Sequence, residues 1–174
     1  MQRGSSHDST WPLFAGLART IAQLDDEQIV WAHAEAVFRS VIGHQLFTVL
    51  RYDEASGNVT RLYSNRAAEY PVSGSKHKGP TPWGERVLTQ GQYYLGYNAD
   101  DIKWAFEDHA LIASMGLESA LNLPIRVANT TLGTVNLLHV ANYYDESHVD
   151  VGTILATLLA PVFMHRTQAA DRCR

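Results

Sequence analysis

The sequence predicts a single α+β domain. Its core is a mainly antiparallel sheet of about five strands, with the N- and C-terminal helices on one face and short helices and loops over a ligand pocket on the other. Three observations predict this. Apolar residues recur with a helical period near both ends of the chain. Two pairs of period-two segments are each joined by a short turn. The stretch between those pairs is broken by Pro and Gly and carries many aromatic residues.

The elements can be taken in chain order. Residues 1–10 read as a flexible arm and 11–170 as the one domain. A first helix spans about 11–23. Asp25 and Asp26 are placed to cap a second, in which Val30, Ala34, Val37, Phe38 and Val41 form one apolar stripe closed by Gly43. Residues 45–52 and 58–64 alternate as strands around the turn 53–57, giving a β-hairpin. A long loop covers 67–82, and a short helix then runs from Thr81 or Pro82 to Gly91. Residues 92–97 form a brief aromatic strand. Asp100 and Asp101 are placed to cap a helix running to Met115 and closed by Gly116. Residues 119–127 and 131–140 are the clearest strands, joined by a tight turn. A last helix starts near Asp145, with Val151, Ile154, Leu155, Leu158 and Leu159 as its stripe and Pro161 as a late break.

The bulk numbers exclude several classes. The 174 residues are 45% hydrophobic and 18% charged, enough apolar material for a core and too little charge for disorder. A net charge of −4 and a pI near 6.0 give no electrostatic basis for binding nucleic acid or anionic lipid. No apolar run approaches the roughly 20 residues of a membrane span. The polar N-terminus lacks a signal-peptide core, so a cytoplasmic location is expected. Cys173 is the single cysteine and lies beside the last residue, which argues against disulfides and thiol catalysis. The histidines lack paired metal-ligand spacing, and neither a metal nor a cofactor is expected.

The strings Ser119-Ala120-Leu121-Asn122-Leu123-Pro124-Ile125 and Leu132-Gly133-Thr134-Val135-Asn136-Leu137-Leu138, with Asp145-Glu146 after Tyr143-Tyr144, resemble the GAF domain family of small-molecule sensor modules. The likeness covers roughly residues 11–168 and implies a sensing fold. Three specialised branches fit poorly. The cyclic-nucleotide signature is absent, no internal cysteine is available for a bilin, and Ser114 stands where a methionine-sulfoxide reductase would carry a cysteine. Most members of that family fuse the domain to an output module, for which 174 residues leave no room, so a stand-alone module is expected. The amphipathic first and last helices suit a homodimer.

Strand parity narrows the pocket. Ala120, Asn122 and Pro124 share one face, as do Thr134, Asn136 and Leu138, while the aliphatic faces suit the helices. Asn122, Thr134 and Asn136 therefore point under the cover, either to hold a polar ligand or to pin the loops above. Trp83, Tyr93, Tyr94, Tyr97, Trp104 and Phe106 put six aromatics within 24 residues, suited to lining a cavity for a planar ligand or to filling a core. Trp83, Tyr94, Trp104 and His109 join the candidate ligand set with the Asn pair and Thr134. The segment 72–79, with Lys76, His77 and Lys78, either closes over an anion such as a carboxylate or is a solvated loop. The leading function is binding of a small planar, carboxylate-bearing metabolite. The alternative is a small enzyme on the same scaffold, with His109, Asp108 and Tyr94 performing acid/base hydrolysis or deamination. A Ser114-His109-Asp108 triad fails, because adjacent Asp and His point to different sides of a helix.

Overall fold

The computed structural model describes residues 10–72 and 74–165. Its elements are α1 (Thr10–Ala22), α2 (Glu27–Val41), β1 (Leu46–Asp53), β2 (Asn58–Ser64), β3 (Lys76–His77), α3 (Pro82–Gly84), β4 (Tyr94–Gly96), α4 (Ala99–Ala105), α5 (His109–Ser114), β5 (Ser119–Val127), β6 (Thr130–His139) and α6 (Ser147–Leu158). The strands form one antiparallel sheet in the order β3-β2-β1-β6-β5-β4. The sixth strand is the addition to the expected five. It is a two-residue edge piece, in which Lys76 and His77 pair with Val59 and Asn58 inside the predicted loop.

Period-two burial gives the sheet two different faces. Phe47, Val49, Leu121, Leu123, Ile125, Val135 and Leu137 pack with α1, α2 and α6 in one large cluster that includes Trp31 and Phe163. The opposite face contributes Leu46, Ala120 and Leu138 to a second cluster with Tyr70, Trp83, Ile102 and Ile112. The terminal helices thus share one face, and the middle of the chain covers the other.

Local chemistry shifts several boundaries from their predicted places. Asp26, rather than Asp25, caps α2, accepting from Gln28 N. The helix expected over 101–115 is two helices, broken at Phe106–Asp108. Its cap is Asn98, which accepts from the amides of Asp100 and Asp101, so those aspartates sit in the first turn. The segment after Pro82 tightens into α3 and continues as one π-helical turn, Glu85–Thr89. Thr10, the last residue of the expected arm, is helical; residues 1–9 and Cys173 lie outside the described residues.

Most of the predicted stripe of the last helix faces the core, with Leu155 and Leu159 buried and Val151 and Leu158 packed against the cluster. Val149, Gly152, Leu155 and Ala156 are buried, whereas Ile154 is 49% exposed. Pro161 lacks an amide hydrogen, and the regular helix ends at Leu158 before resuming to His165. Against the expectation that no apolar run nears spanning length, the segment Ser147–His165 is a helix long and apolar enough to cross a membrane. Within this domain 44% of it is buried, as in a core helix.

Two positions test the packing. Gly133 pairs with both neighbouring strands, and a Cβ there would overlap the Leu50 carbonyl oxygen and lie 2.6 Å from the Phe163 ring. Gly133→Ala should cost about 3 kcal/mol in urea unfolding, while Gly79→Ala, with open space around it, should stay within ~0.5 kcal/mol. His44 is buried against Phe47, its Nε2 is 3.4 Å from Glu35 Oε1, and burial lowers its pKa. The unfolded chain then takes up a proton that the fold resists. Stability should therefore fall as pH drops below about 6.5, before most carboxylates titrate. Urea midpoints across that range should show a shallower fall in His44→Phe, with His139 supplying the remainder.

Candidate functional site

Register turns the polar residues of the covered face into a single row. Ser64, Thr48, Asn136, Asn122 and Tyr94 are successive cross-strand partners on β2, β1, β6, β5 and β4. Asn136 Nδ2 donates to Thr48 Oγ1 at 3.2 Å, and Trp83 Nε1 donates to Asn122 Oδ1 at 2.9 Å. The second bond ties α3 to the sheet. Asn136 Oδ1, Asn122 Nδ2 and Thr134 Oγ1 are buried without a hydrogen-bond partner among the described residues. Buried polar groups are rarely left so, and unpaired ones cost roughly 1–3 kcal/mol each.

A cavity of about 120 Å³ opens between this row and the cover. Thr48, Leu50, Asn136 and Leu138 form its floor. Tyr70, Trp83, Phe106 and Ile112 form apolar walls, with Trp83 and Phe106 tilted at 44° to one another. Arg61, Lys76, Lys78, Glu107 and Asp108 bring the charges.

Arg61 reaches the cavity because of a β-bulge. Val49 pairs with Tyr63 but Leu50 pairs with Arg61, so Leu62 is the extra residue. Leu62 joins the helix-side core, and Arg61 and Val59 are carried to the covered side. The Arg61 guanidinium lies 3.8 Å over the Tyr70 ring and donates to the Pro71 carbonyl oxygen. Tyr70 OH donates to Asp108 Oδ2, and burial together with that carboxylate raises the phenol pKa.

The two lysines differ. Lys76 Nζ is 3.0 Å from Glu107 Oε2, an exposed pair that lowers the Glu107 pKa. Lys78 Nζ sits 5.3 Å over the Trp83 ring, and burial lowers its pKa against the opposing pull of Glu107 and Asp108. Glu107 offsets Lys76, and Asp108 keeps its charge while accepting from the neutral Tyr70 phenol, so the two cations Arg61 and Lys78 stand against one carboxylate and the site keeps a positive bias.

Of the expected site residues, Trp83, Asn136 and Asp108 line this cavity, and Asn122 lies under Trp83. Thr134 is fully buried beside them, paired with Leu50 and Pro124. Tyr94, Trp104 and His109 lie elsewhere. Tyr94 donates its OH to Asp101 O, its pKa pushed up to about 12 by burial, and stacks at 5.3 Å on Trp104, which is half exposed. His109 Nδ1 faces Phe106 O at the start of α5, where the predicted long helix breaks. Tyr93 is on the other face of the sheet, reaching Glu146. Sequence reasoning missed Arg61, Tyr70 and Ile112; only the bulge register and the loop path bring them in. Among the described residues no group of three or more His, Cys, Asp or Glu is placed to hold a metal.

Trp83→Phe keeps the ring and removes the Nε1–H donor. It should lower unfolding stability by about 1–2 kcal/mol, because Asn122 would then be unpaired at both ends. Urea unfolding measures this directly.

Comparison with known proteins places these features in a family. The GAF domain model matches residues 23–163. No curated protein sequence matches significantly. Among solved structures, the GAF domain of the Acinetobacter phosphoenolpyruvate-protein phosphotransferase superposes with a TM-score of 0.72 at 13% identity, covering 95% of this chain and 97% of that one. Free methionine-R-sulfoxide reductase from Neisseria meningitidis, in complex with its substrate, gives 0.64 at 15% identity over 97% and 96%. The chromophore-binding domain of a bacteriophytochrome from R. palustris gives 0.67 at 12% identity over 93% of this chain and 63% of that one. At such identities the structural likeness speaks to fold, while the family match spans most of the sequence. The chain belongs to the GAF domain family, whose fold binds and senses small ligands.

Proposed function

We propose that this domain binds a small, planar organic anion in the cavity between the polar row and the cover. The observation that carries the reading is the pairing of the Arg61 and Lys78 cations with aromatic walls above an amide floor. A carboxylate at Arg61 and Lys78 would face a guanidinium fork and an ammonium. A ring would lie among Trp83, Tyr70 and Phe106. A polar edge of the ligand would meet the unpaired Asn136 Oδ1.

Size limits the class. About 120 Å³ is somewhat below the roughly 150 Å³ of an enclosed cavity that holds benzene, and this site opens on one side, so its scale is one small ring with its carboxylate at the mouth or a short chain, well below a bilin or a nucleotide. The acid/base enzyme alternative loses support, since Tyr94 and His109 are directed away from the cavity. As a sensor the module acts in the cytoplasm, and it dimerises through its terminal helices. The exposed Trp11, Ile154 and Met164 on those helices support that pairing.

Benzoate titrated by calorimetry tests the reading. Saturable binding is expected, with benzamide at least tenfold weaker and Arg61→Gln reducing benzoate affinity by about 10- to 100-fold. Equal affinity for benzoate and its neutral amide would remove the carboxylate from the reading. No binding of either would remove the aromatic anion from the reading.

A further inference from the structure

The chain has only three lysines, Lys76, Lys78 and Lys103. Two of them line the small cavity, and the third is exposed on α4. The two at the cavity are in different states. Lys76 is held by Glu107 on the rim. Lys78 makes no ion pair among the described residues and rests over the Trp83 ring. It also borders the open groove formed by Tyr52, Pro80, Thr81 and Glu85, so it stands between the cavity and solvent.

We infer that Lys78 is a reactive amine that captures a carbonyl-bearing carboxylate, a short 2-oxo acid, as a reversible imine. The inference rests on the anion-binding reading above and adds a covalent step to it. The geometry supplies what such a step needs: an amine in the cavity wall, a neighbouring guanidinium for the carboxylate, and a carboxylate to move protons. An amine attacks only when unprotonated, and an ammonium desolvated against apolar surface gives up its proton more easily. Burial acts on Lys78 in that direction, with Lys76 adding to it and Glu107 and Asp108 opposing it.

The step balances without an oxidant or reductant. The Lys78 nitrogen forms a bond to the carbonyl carbon while the C=O π electrons move to oxygen. A proton passes from nitrogen to that oxygen, and Asp108, on the same cavity lining and hydrogen-bonded to Tyr70, can carry it. Water then leaves as the C–O bond breaks and the nitrogen lone pair forms C=N. The departing hydroxyl takes up a proton, and the nitrogen gives up its remaining proton in exchange, with Asp108 able to relay it, so the products are one imine and one water. Water entering along the Lys78 side reverses the sequence and frees the ligand.

The test is reductive trapping of the full chain with pyruvate and cyanoborohydride, followed by peptide mass mapping. Lys103 and the chain's own amino terminus serve as internal controls. Lys78 should carry the reduced adduct at least tenfold more than Lys76 or Lys103. Acetone, which lacks the carboxylate, should label it at least tenfold less. Benzoate should compete, and Lys78→Arg, which keeps the charge over Trp83, should fold and lose the adduct. Equal labelling of all three lysines overturns the inference. So does the absence of a Lys78 adduct in a protein that still binds benzoate, in which case anion binding stands alone. Absence of both removes both readings, while selective Lys78 labelling without benzoate binding keeps the imine and discards the aromatic ligand.

Discussion

The constraint on which the rest depends is that the central strands are buried on both faces, and the two faces are chemically unlike. On β1, β6 and β5 the alternating residues Phe47, Val49, Val135, Leu137, Leu121, Leu123 and Ile125 are apolar and meet the helices. The alternate positions carry Thr48, Asn136, Asn122 and Thr134, all nearly inaccessible. An aliphatic face needs only shape and volume from its partner. A buried amide row needs donors and acceptors, from the cover or from neighbours within the row. Trp83 meets part of that demand through Asn122, and Asn136 meets another part within the row through Thr48. Of the remaining capacity, Asn136 Oδ1 belongs to a residue that lines the cavity, while Asn122 Nδ2 and Thr134 Oγ1 are buried beside it. A fold requiring only stability would carry Val or Leu at these positions, as the opposite face does.

The second determinant is a local irregularity. Strict alternation along β2 would place Ser64, Leu62 and Thr60 on the covered side. The bulge at Leu62 breaks the alternation, sends Leu62 into the aliphatic core and delivers Arg61 above the floor. One extra residue therefore provides a core side chain and a cavity cation together. Tyr70 holds that cation in place from above, and Asp108 holds Tyr70.

Much of the fold was legible in the sequence because it derives from period and parity. The helical stripe of α2 and the alternation in β5 and β6 set which residues face the bundle, and that assignment extends to Asn122 and Asn136. Cross-strand register is a different kind of information. Nothing local says that Asn136 lies between Thr48 and Asn122, or that Leu62 is the bulged residue. The aromatic-rich segment misled for a related reason. Trp83 and Phe106 reach the cavity, but Asn98 caps α4 earlier than Asp100 would, and the break at Phe106–Asp108 reorients α5. His109 thereby turns to a backbone carbonyl, and Tyr94 and Trp104 stack together outside the cavity. Lys76 and Lys78 occupy a segment that reads from sequence either as a solvated loop or as a closure over an anion, and the short β3 pairing ties it to the sheet edge.

The asymmetry between the faces also says where a bound ligand can act. On the helix side, Gly133 and Gly152 admit Phe163 and Leu123 so closely that a single added carbon would collide. Packing of that density leaves no alternative arrangement at low cost. The covered side consists of a three-residue helix, a π-helical turn and two helices of seven and six residues, pinned through few side-chain bonds. A ligand changes a protein only where two arrangements differ little in free energy. Any group satisfying the Asn122 amide or the Asn136 carbonyl acts beside the Trp83 anchor, at the junction of α3 with the sheet. With a ligand bound as proposed, a response would fall on the segment 76–115, which rests on the sheet through fewer contacts than the densely packed helical bundle.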